Sequence, residues 1–273
     1  MTFSGKLGFI GGGRMGEALV QGILKSGIIT AANILVADPV VERRQYLSKT
    51  YNVATYENSA DKIIWSSCQT VIIAVKPQIM ATVLQSAKSS INDSHLLISI
   101  AAGIQSSFID ANLSGSNCRI IRVMPNTPAF VLEAASALCP GPRATQEDMA
   151  TAVLLFNSIG KSVVLDEKHF DAVTGLSGSG PAYVFTFIEA LIDAGLKVGL
   201  NRSDAELLVM QTVLGSVKLA MQSKEHPAQL RAMVTSPGGT TIAGLHELET
   251  AGFNGIIMDA VEAATERSKE LGK

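Results

Sequence analysis

The chain has 273 residues, 47% of them hydrophobic and 17% charged, with 24 glycines and a net charge of −2. Its length suits one large core or two ordinary ones, and its apolar content excludes a disordered chain. No run of Lys and Arg collects into a stripe that would follow nucleic-acid phosphates, so no nucleic-acid partner is expected.

Cys68, Cys118 and Cys139 are odd in number, far apart and without histidines at ligand spacing. That pattern argues for buried, reduced thiols and against a disulfide framework or a metal site. The apolar run after Lys6 meets Gly11 within a few residues, too short for a signal-peptide core or a membrane span. A soluble, cytoplasmic protein is expected.

The first ~165 residues alternate short apolar runs with longer helical patterns, as a wound parallel sheet with crossover helices requires. Strands are predicted at Lys6 to Ile10, Ile34 to Ala37, Val71 to Val75, Leu96 to Ala101 and Ile120 to Met124, with a weak one near Val53. Runs apolar at every position belong to strands covered on both faces. Ser136 to Cys139 and Ser162 to Leu165 flank a helix at Gln146 to Ser158 and extend the sheet.

After Asp166 no further segment reads as a strand. The predicted fold is therefore α/β, with a Rossmann-type doubly wound domain over 1–165 and an all-α domain over 166–273. Pro181 suits the first position of a helix that runs to Val198, with Gly199 as its left-handed stop. Ser203, Asp204, Ala205 and Glu206 read as a capping box for the next helix, to Gln222. His226-Pro227 opens a short helix, Gly239 to Ala251 forms another closed by Gly252, and Gly255 to Leu271 is the last.

The helix after Pro181 carries Tyr183, Val184, Phe185, Phe187, Ile188, Leu191 and Ile192, pointing in nearly every direction around its axis. Such a helix must be buried all round, and ~105 residues do not enclose it alone. An obligate homodimer through residues 166–273 is expected. Glu189 and Asp193 interrupt the run and disfavour insertion in a membrane.

Gly11-x-Gly13-x-x-Gly16 follows a predicted strand and opens a predicted helix, the context that gives this spacing meaning. Gly11 permits a sharp turn, Gly13 lets a pyrophosphate approach the backbone, and Gly16 lets the helix lie close to the sheet. Asp38, about 20 residues on, is placed to accept hydrogen bonds from an adenosine ribose. Alone it favours NADH, since a 2′-phosphate meets a like charge. Arg43 and Arg44 lie one turn further and suit either that phosphate or a solvated helix face, so NADH against NADPH stays open. Ala74-Val75-Lys76-Pro77, Asn58 and Asn126 stand at carboxyl ends of strands, where ligands of open sheets gather.

Two stretches rich in Gly and hydroxyls precede apolar helices: Gly175 to Pro181 and Thr235-Ser236-Pro237-Gly238-Gly239-Thr240-Thr241. Unpaired N–H groups and the positive end of a helix dipole make such N-termini anion sites without a basic side chain. Plain N-capping explains one hydroxyl there, not several beside two glycines.

At these residues the chain resembles the pyrroline-5-carboxylate reductases. The resemblance runs through Gly8 to Gly13, Ala74 to Pro77, Ile100 to Gly103, Met124 to Pro128, Gly175 to Tyr183, and His226-Pro227 leading into Ser236 to Thr241. It implies a Rossmann domain, a helical domain interlocked with that of a partner, and dimers gathered into a decamer. It further implies that Gly11, Gly13, Arg14, Met15, Gly16, Asn58, Ala74, Val75, Lys76, Pro77 and Ala101 contact the dinucleotide, with Asp38 and Asn126 beside them. Gly239, Thr240 and Thr241, in the turn that also offers Ser236 and Gly238, hold the substrate. The implied ligands are L-1-pyrroline-5-carboxylate, or its product L-proline, and NADPH or NADH.

A cyclic iminium is already electrophilic, so hydride addition needs positioning and charge compensation rather than a histidine. None of His95, His169, His226 and His246 sits in a crevice loop with an acidic partner at an obvious spacing. Thr241, hydrogen-bonded to the ring nitrogen, is the expected catalytic group. Two other readings compete. A β-hydroxyacid dehydrogenase needs a catalytic Lys and an Asn where this register has Val184 and Ile188. A non-catalytic NAD(P)-binding sensor would carry a filled or truncated substrate corner.

Overall fold

A computed structural model describes residues 3–272. Contacts divide the described residues into two compact units, one of residues 3–179 with 263–272, the other Gly180–Glu262.

The first unit is built on one eight-stranded sheet: β1 (Leu7–Ile10), β2 (Ile34–Ala37), β3 (Ala54–Tyr56), β4 (Thr70–Ile73), β5 (Leu96–Ser99), β6 (Arg119–Met124), β7 (Ala134–Pro140) and β8 (Gly160–Val164). The spatial order is β3-β2-β1-β4-β5-β6-β7-β8. All neighbours are parallel except β6 and β7. β1, β2, β4 and β5 are buried at every position, which is why their sequences do not alternate.

Leu7, Phe9, Ile34, Val36, Ile72 and Ile98 face one layer of helices, while Ile10, Leu35, Val71, Ile73 and Leu97 face the other. The first layer comprises α1 (Arg14–Lys25), α2 (Val41–Tyr51) and α6 (Gln146–Asn157); the second comprises α3 (Lys62–Ser67), α4 (Met80–Ala87) and α5 (Ser106–Asn112). On α1 the stripe Ala18, Leu19, Val20 and Ile23 is fully buried. Each of its large side chains contributes about 1.5–3 kcal/mol by leaving water. The crossover layers leave the carboxyl ends of β1, β2 and β4 clear, and there the chain turns through its glycines.

A short helix, α7 (Phe170–Val173), packs Phe170 with Ala137 and Cys139. Ser268 Oγ donates to Asp171 Oδ1 at 2.7 Å and ties the C-terminal stretch to this unit. From Thr174 to Gly178 the backbone winds as a π-turn, with Ser179 N–H donating to Thr174 O at 2.8 Å. This corrects the expectation that Gly175 to Pro181 ends at an open helix N-terminus. The stretch is already helical, so the N–H of Ser179 is spent on the π-turn. Gly178 lies close to the Met124 side chain, a Cβ there standing 2.8 Å from its methyl.

The second unit is helical: α8 (Gly180–Lys197), α9 (Arg202–Ser223), α10 (Pro227–Met233), α11 (Thr240–Thr250) and the first part of α12 (Phe253–Leu271). Gly199 and Gly252 adopt the left-handed conformation expected of helix stops. The cap of α9 differs from expectation. Asn201, not Ser203, is the N-cap; its Oδ1 accepts from Asp204 N–H at 3.0 Å, and its Nδ2 donates to Asp204 Oδ2. The helix thus starts two residues early, because the Asn201 amide engages both the N–H and the carboxylate of Asp204.

Among residues 180–262 Ala205 is the one buried hydrophobic residue. Val184, Phe185 and Phe187 of α8 are 47%, 64% and 41% exposed in the single chain. No helix among the described residues is long and apolar enough to cross a membrane.

Candidate functional site

The turn after β1 is pinned on both sides, by Gly11 N–H to Ala37 O and Ala74 N–H to Ile10 O, each at 2.7 Å. Gly11 has φ +101°, and a Cβ there would stand 2.5 Å from the Ala74 carbonyl oxygen. No other residue fits this turn without strain. A Cβ at Gly16 would meet Gly11 O at 2.5 Å. At Gly13, the N-cap of α1, a Cβ would meet nothing within 4 Å. The first glycine is thus demanded by the turn and the third by helix packing, while the second faces open space. That is the arrangement of a pyrophosphate cradle at a helix N-terminus.

The cradle opens on a cavity of about 710 Å³ lined by Gly11, Gly13, Asp38, Asn58, Ala74, Val75 and Lys76, among others. Seven of the expected cofactor residues are therefore brought together. Asn58 Oδ1 accepts from Ala60 N–H at 2.8 Å, fixing the loop after β3. Asp38 is buried; its Oδ2 accepts from Gly12 N–H at 2.8 Å and its Oδ1 from Val40 N–H at 2.9 Å.

The remaining expected residues lie outside that lining. Arg14 stacks over Phe130 with 5.5 Å to the ring centroid, and Met15 packs on the core. Pro77 opens a turn of 3₁₀ helix, and Ala101 is buried at the end of β5. Asn126 is buried with both ends of its amide engaged, accepting from Ala135 N–H at 2.9 Å and donating to Ser177 O at 3.0 Å.

Two charged clusters, one against the glycine turn and one away from the cleft around Glu167, do not show in local sequence. Arg43 donates from Nε to Gly12 O and from its terminal nitrogen to Glu17, and lies 4.9 Å over the Tyr46 ring. Tyr46 and Tyr51 both donate to Glu17 Oε1 at 2.9 Å. Burial pushes the Glu17 carboxyl up, but the bonds from Arg43, Tyr46 and Tyr51 outweigh it and hold the carboxyl below its ordinary value. Glu167 accepts from Ser106 N–H at 2.8 Å, Ser106 Oγ at 2.6 Å and the buried Arg122 at 3.1 Å. There too burial raises the carboxyl and the hydrogen bonds prevail, so it titrates below the usual range. The partners lie 26 to 61 residues apart, beyond any periodicity argument.

In the helical unit, α11 starts from Gly239, and no side chain caps it. Gly238 has φ +66°, and a Cβ on Gly239 would stand 2.3 Å from Ser236 Oγ. Thr235 Oγ1 donates to Arg231 O at 2.6 Å. Gly238 supplies the left-handed residue of the turn, Gly239 lies close to the Ser236 hydroxyl, and the hydroxyls of Ser236, Thr240 and Thr241 are not used as the cap. An uncapped helix N-terminus flanked by hydroxyls is suited to a small carboxylate.

A glycine cradle, a fixed acid at the end of β2 and a roomy cleft on a doubly wound sheet define a dinucleotide-dependent oxidoreductase. Comparison with known proteins agrees and narrows the class. Residues 6–103 match the family described as NADP oxidoreductase coenzyme F420-dependent, and residues 167–271 match pyrroline-5-carboxylate reductase dimerisation. Pyrroline-5-carboxylate reductases of Methanosarcina acetivorans and Arabidopsis thaliana are 46% and 44% identical, each over 98% of this chain and 98% and 96% of their own lengths. The crystal structure of a Plasmodium falciparum pyrroline carboxylate reductase with NADP bound superposes with a TM-score of 0.88 at 38% identity, covering 100% of both chains. That of the Coxiella burnetii pyrroline-5-carboxylate reductase does so at 0.93 and 32%, covering 99% and 100%. The chain belongs to the pyrroline-5-carboxylate reductase family.

Proposed function

We propose that this chain reduces the C=N bond of L-1-pyrroline-5-carboxylate to give L-proline, with NADH or NADPH as reductant. The observation that carries the reading is the N-terminus of α11, where Gly238 takes the left-handed conformation, Gly239 lies close to the Ser236 hydroxyl, and no side chain provides a cap. In this reading the backbone N–H groups around Gly239 to Thr241 take the substrate carboxylate, with Ser236 and Gly238 shaping the turn. Thr241 Oγ1 accepts the N–H of the protonated ring nitrogen. It thereby holds the iminium proton in place while the C=N π pair becomes the amine lone pair. The reduced nicotinamide supplies the hydride that the ring carbon receives.

Gly11, Gly13 and Gly16 shape the pyrophosphate cradle, with Arg14 and Met15 at the start of its helix. Asp38 and Asn58 stand at the ribose end, and Ala74, Val75, Lys76 and Pro77 form the opposite wall. Ala101 and Asn126, in the loops after β5 and β6, stand beside the dinucleotide in this reading. Positioning two reactants can supply up to ~7–11 kcal/mol of barrier lowering.

The active form in this reading is an obligate homodimer through residues 166–273, with dimers gathered into a decamer. Its support is the near absence of buried residues in Gly180–Glu262 when one chain stands alone. A location in the cytoplasm is supported by three cysteines that are all buried free thiols. Burial pushes Cys68 up to about 11 and Cys139 up to about 12.

The test is turnover. The purified protein with racemic pyrroline-5-carboxylate and NADH or NADPH is expected to consume nicotinamide absorbance, and no consumption with either refutes the reading. Thr241→Val is expected to keep nucleotide affinity and lose on the order of 10²-fold in kcat/KM. Unchanged turnover removes Thr241 from the reaction.

A further inference from the structure

We propose that Asp38 makes this chain selective for NADH over NADPH. The inference rests on the nucleotide reading of the cleft and goes beyond it by choosing between the two reductants.

Two backbone N–H groups hold the carboxylate, Gly12 at 2.8 Å and Val40 at 2.9 Å, one on each oxygen. Each oxygen keeps capacity for one more donor. Two further donors are what the vicinal hydroxyls of an adenosine ribose present. A 2′-phosphate presents none at neutral pH and adds nearly two negative charges. Because Asp38 is buried and fixed from both sides, it does not rotate away from such a charge as an exposed side chain would.

The nearby cations do not offset it. Arg43 is committed to Gly12 O and Glu17. Arg44 donates to Asp38 O at 2.8 Å and Pro39 O at 2.9 Å, and lies 3.9 Å from Glu57. Neither guanidinium lines the cavity. The ionisable groups that do line it are Asp38, Glu57, Asp61 and Lys76, three acids to one base. The ribose end thus presents acceptors and negative charge to the adenosine.

Titration of the whole protein with NADH and with NADPH, followed by calorimetry without imine substrate, tests this. NADH is expected to bind about 30-fold more tightly, equivalent to ~2 kcal/mol. The ratio should narrow as ionic strength rises, because the penalty is electrostatic. Asp38→Ser should bring the two dissociation constants within about fivefold of each other, mainly by tightening NADPH. The wild-type ratio decides the matter even if that variant folds poorly. Equal or tighter binding of NADPH to the wild type overturns the proposal, as does a folded Asp38→Ser protein with the ratio unchanged. Binding of neither nucleotide overturns the cleft reading and the proposal together. Failure to turn over pyrroline-5-carboxylate, with NADH still preferred, rejects the proposed reaction alone.

Discussion

Substituting alanine at Gly11 and at Gly13 separates the two tasks of the glycine turn, because adding the same methyl group has opposite consequences two residues apart. At Gly11 the backbone has φ +101°, and the new Cβ would lie 2.5 Å from Ala74 O. A side chain in that region costs about 1–3 kcal/mol. Displacing a backbone carbonyl of the neighbouring strand adds an overpacking cost of about 1–3 kcal/mol. At roughly 2–4 °C per kcal/mol, Gly11→Ala should lower the melting temperature by on the order of 10 °C.

At Gly13 φ is −63° with ψ −172°, which alanine adopts freely, and no atom lies within 4 Å of the new methyl. Replacing a glycine N-cap by alanine costs about 0.5–1 kcal/mol, and the stiffer unfolded chain returns about as much. Stability should therefore stay within about 1 kcal/mol of the parent. In the proposed reading of the cleft, the methyl would occupy the space where a pyrophosphate meets the N–H groups of α1. Losing one charge-assisted hydrogen bond there is worth about 1.5–3 kcal/mol, or roughly 10- to 150-fold in affinity. Scanning calorimetry gives the first quantity and titration with NADH the second. A Gly13→Ala protein that binds nucleotide as the parent does refutes this account of the cleft. So does a Gly11→Ala protein that melts with the parent.

Gly22→Ala probes the packing of α1, since its Cβ would sit 2.3 Å from Ile159 Cγ2 and 2.9 Å from Ser158 O. Overpacking of about 1–3 kcal/mol, less the roughly 1 kcal/mol gained in helix propensity, predicts a net loss measurable by denaturant titration. A gain in stability would show that the contact relaxes freely. Glu17 and Glu167 both titrate below the ordinary carboxylate value in the folded state. Their stabilisation is thus fully present above the unfolded value of about 4.3 and is lost as pH falls through the lower folded values. Glu17→Gln and Glu167→Gln should each flatten the acid limb of a melting-temperature profile while leaving its alkaline side unchanged. Profiles parallel to the parent's would refute the assignment.

Much of the fold was legible because its signals are local. Runs such as Leu7 to Ile10 and Val71 to Ile73 are apolar at every position, which marks strands buried on both faces, and their spacing left room only for crossover helices. Gly11, Gly199 and Gly252 announced positive φ through residue type alone. The expected cap at Ser203 failed for a local reason too: Asn201, two residues earlier, engages the N–H and carboxylate of Asp204 with the two ends of its amide. At Gly175 to Gly178 composition alone misled, because glycine and serine suit an open helix N-terminus and a π-turn equally.

What the amino-acid order determined by itself was where chain direction changes, which segments are apolar enough to be covered, and where a backbone must pass close to something. Tertiary structure alone decided which charges meet. Arg43 reaches Glu17 and Gly12 across the turn, Arg44 folds back on the Asp38 and Pro39 carbonyls, and Glu167 finds Ser106 and Arg122. The physical reason is range. Backbone preference and hydrophobic period act over a few residues, whereas an ion pair forms wherever the folded path brings two side chains within about 4 Å, however far apart they lie in sequence.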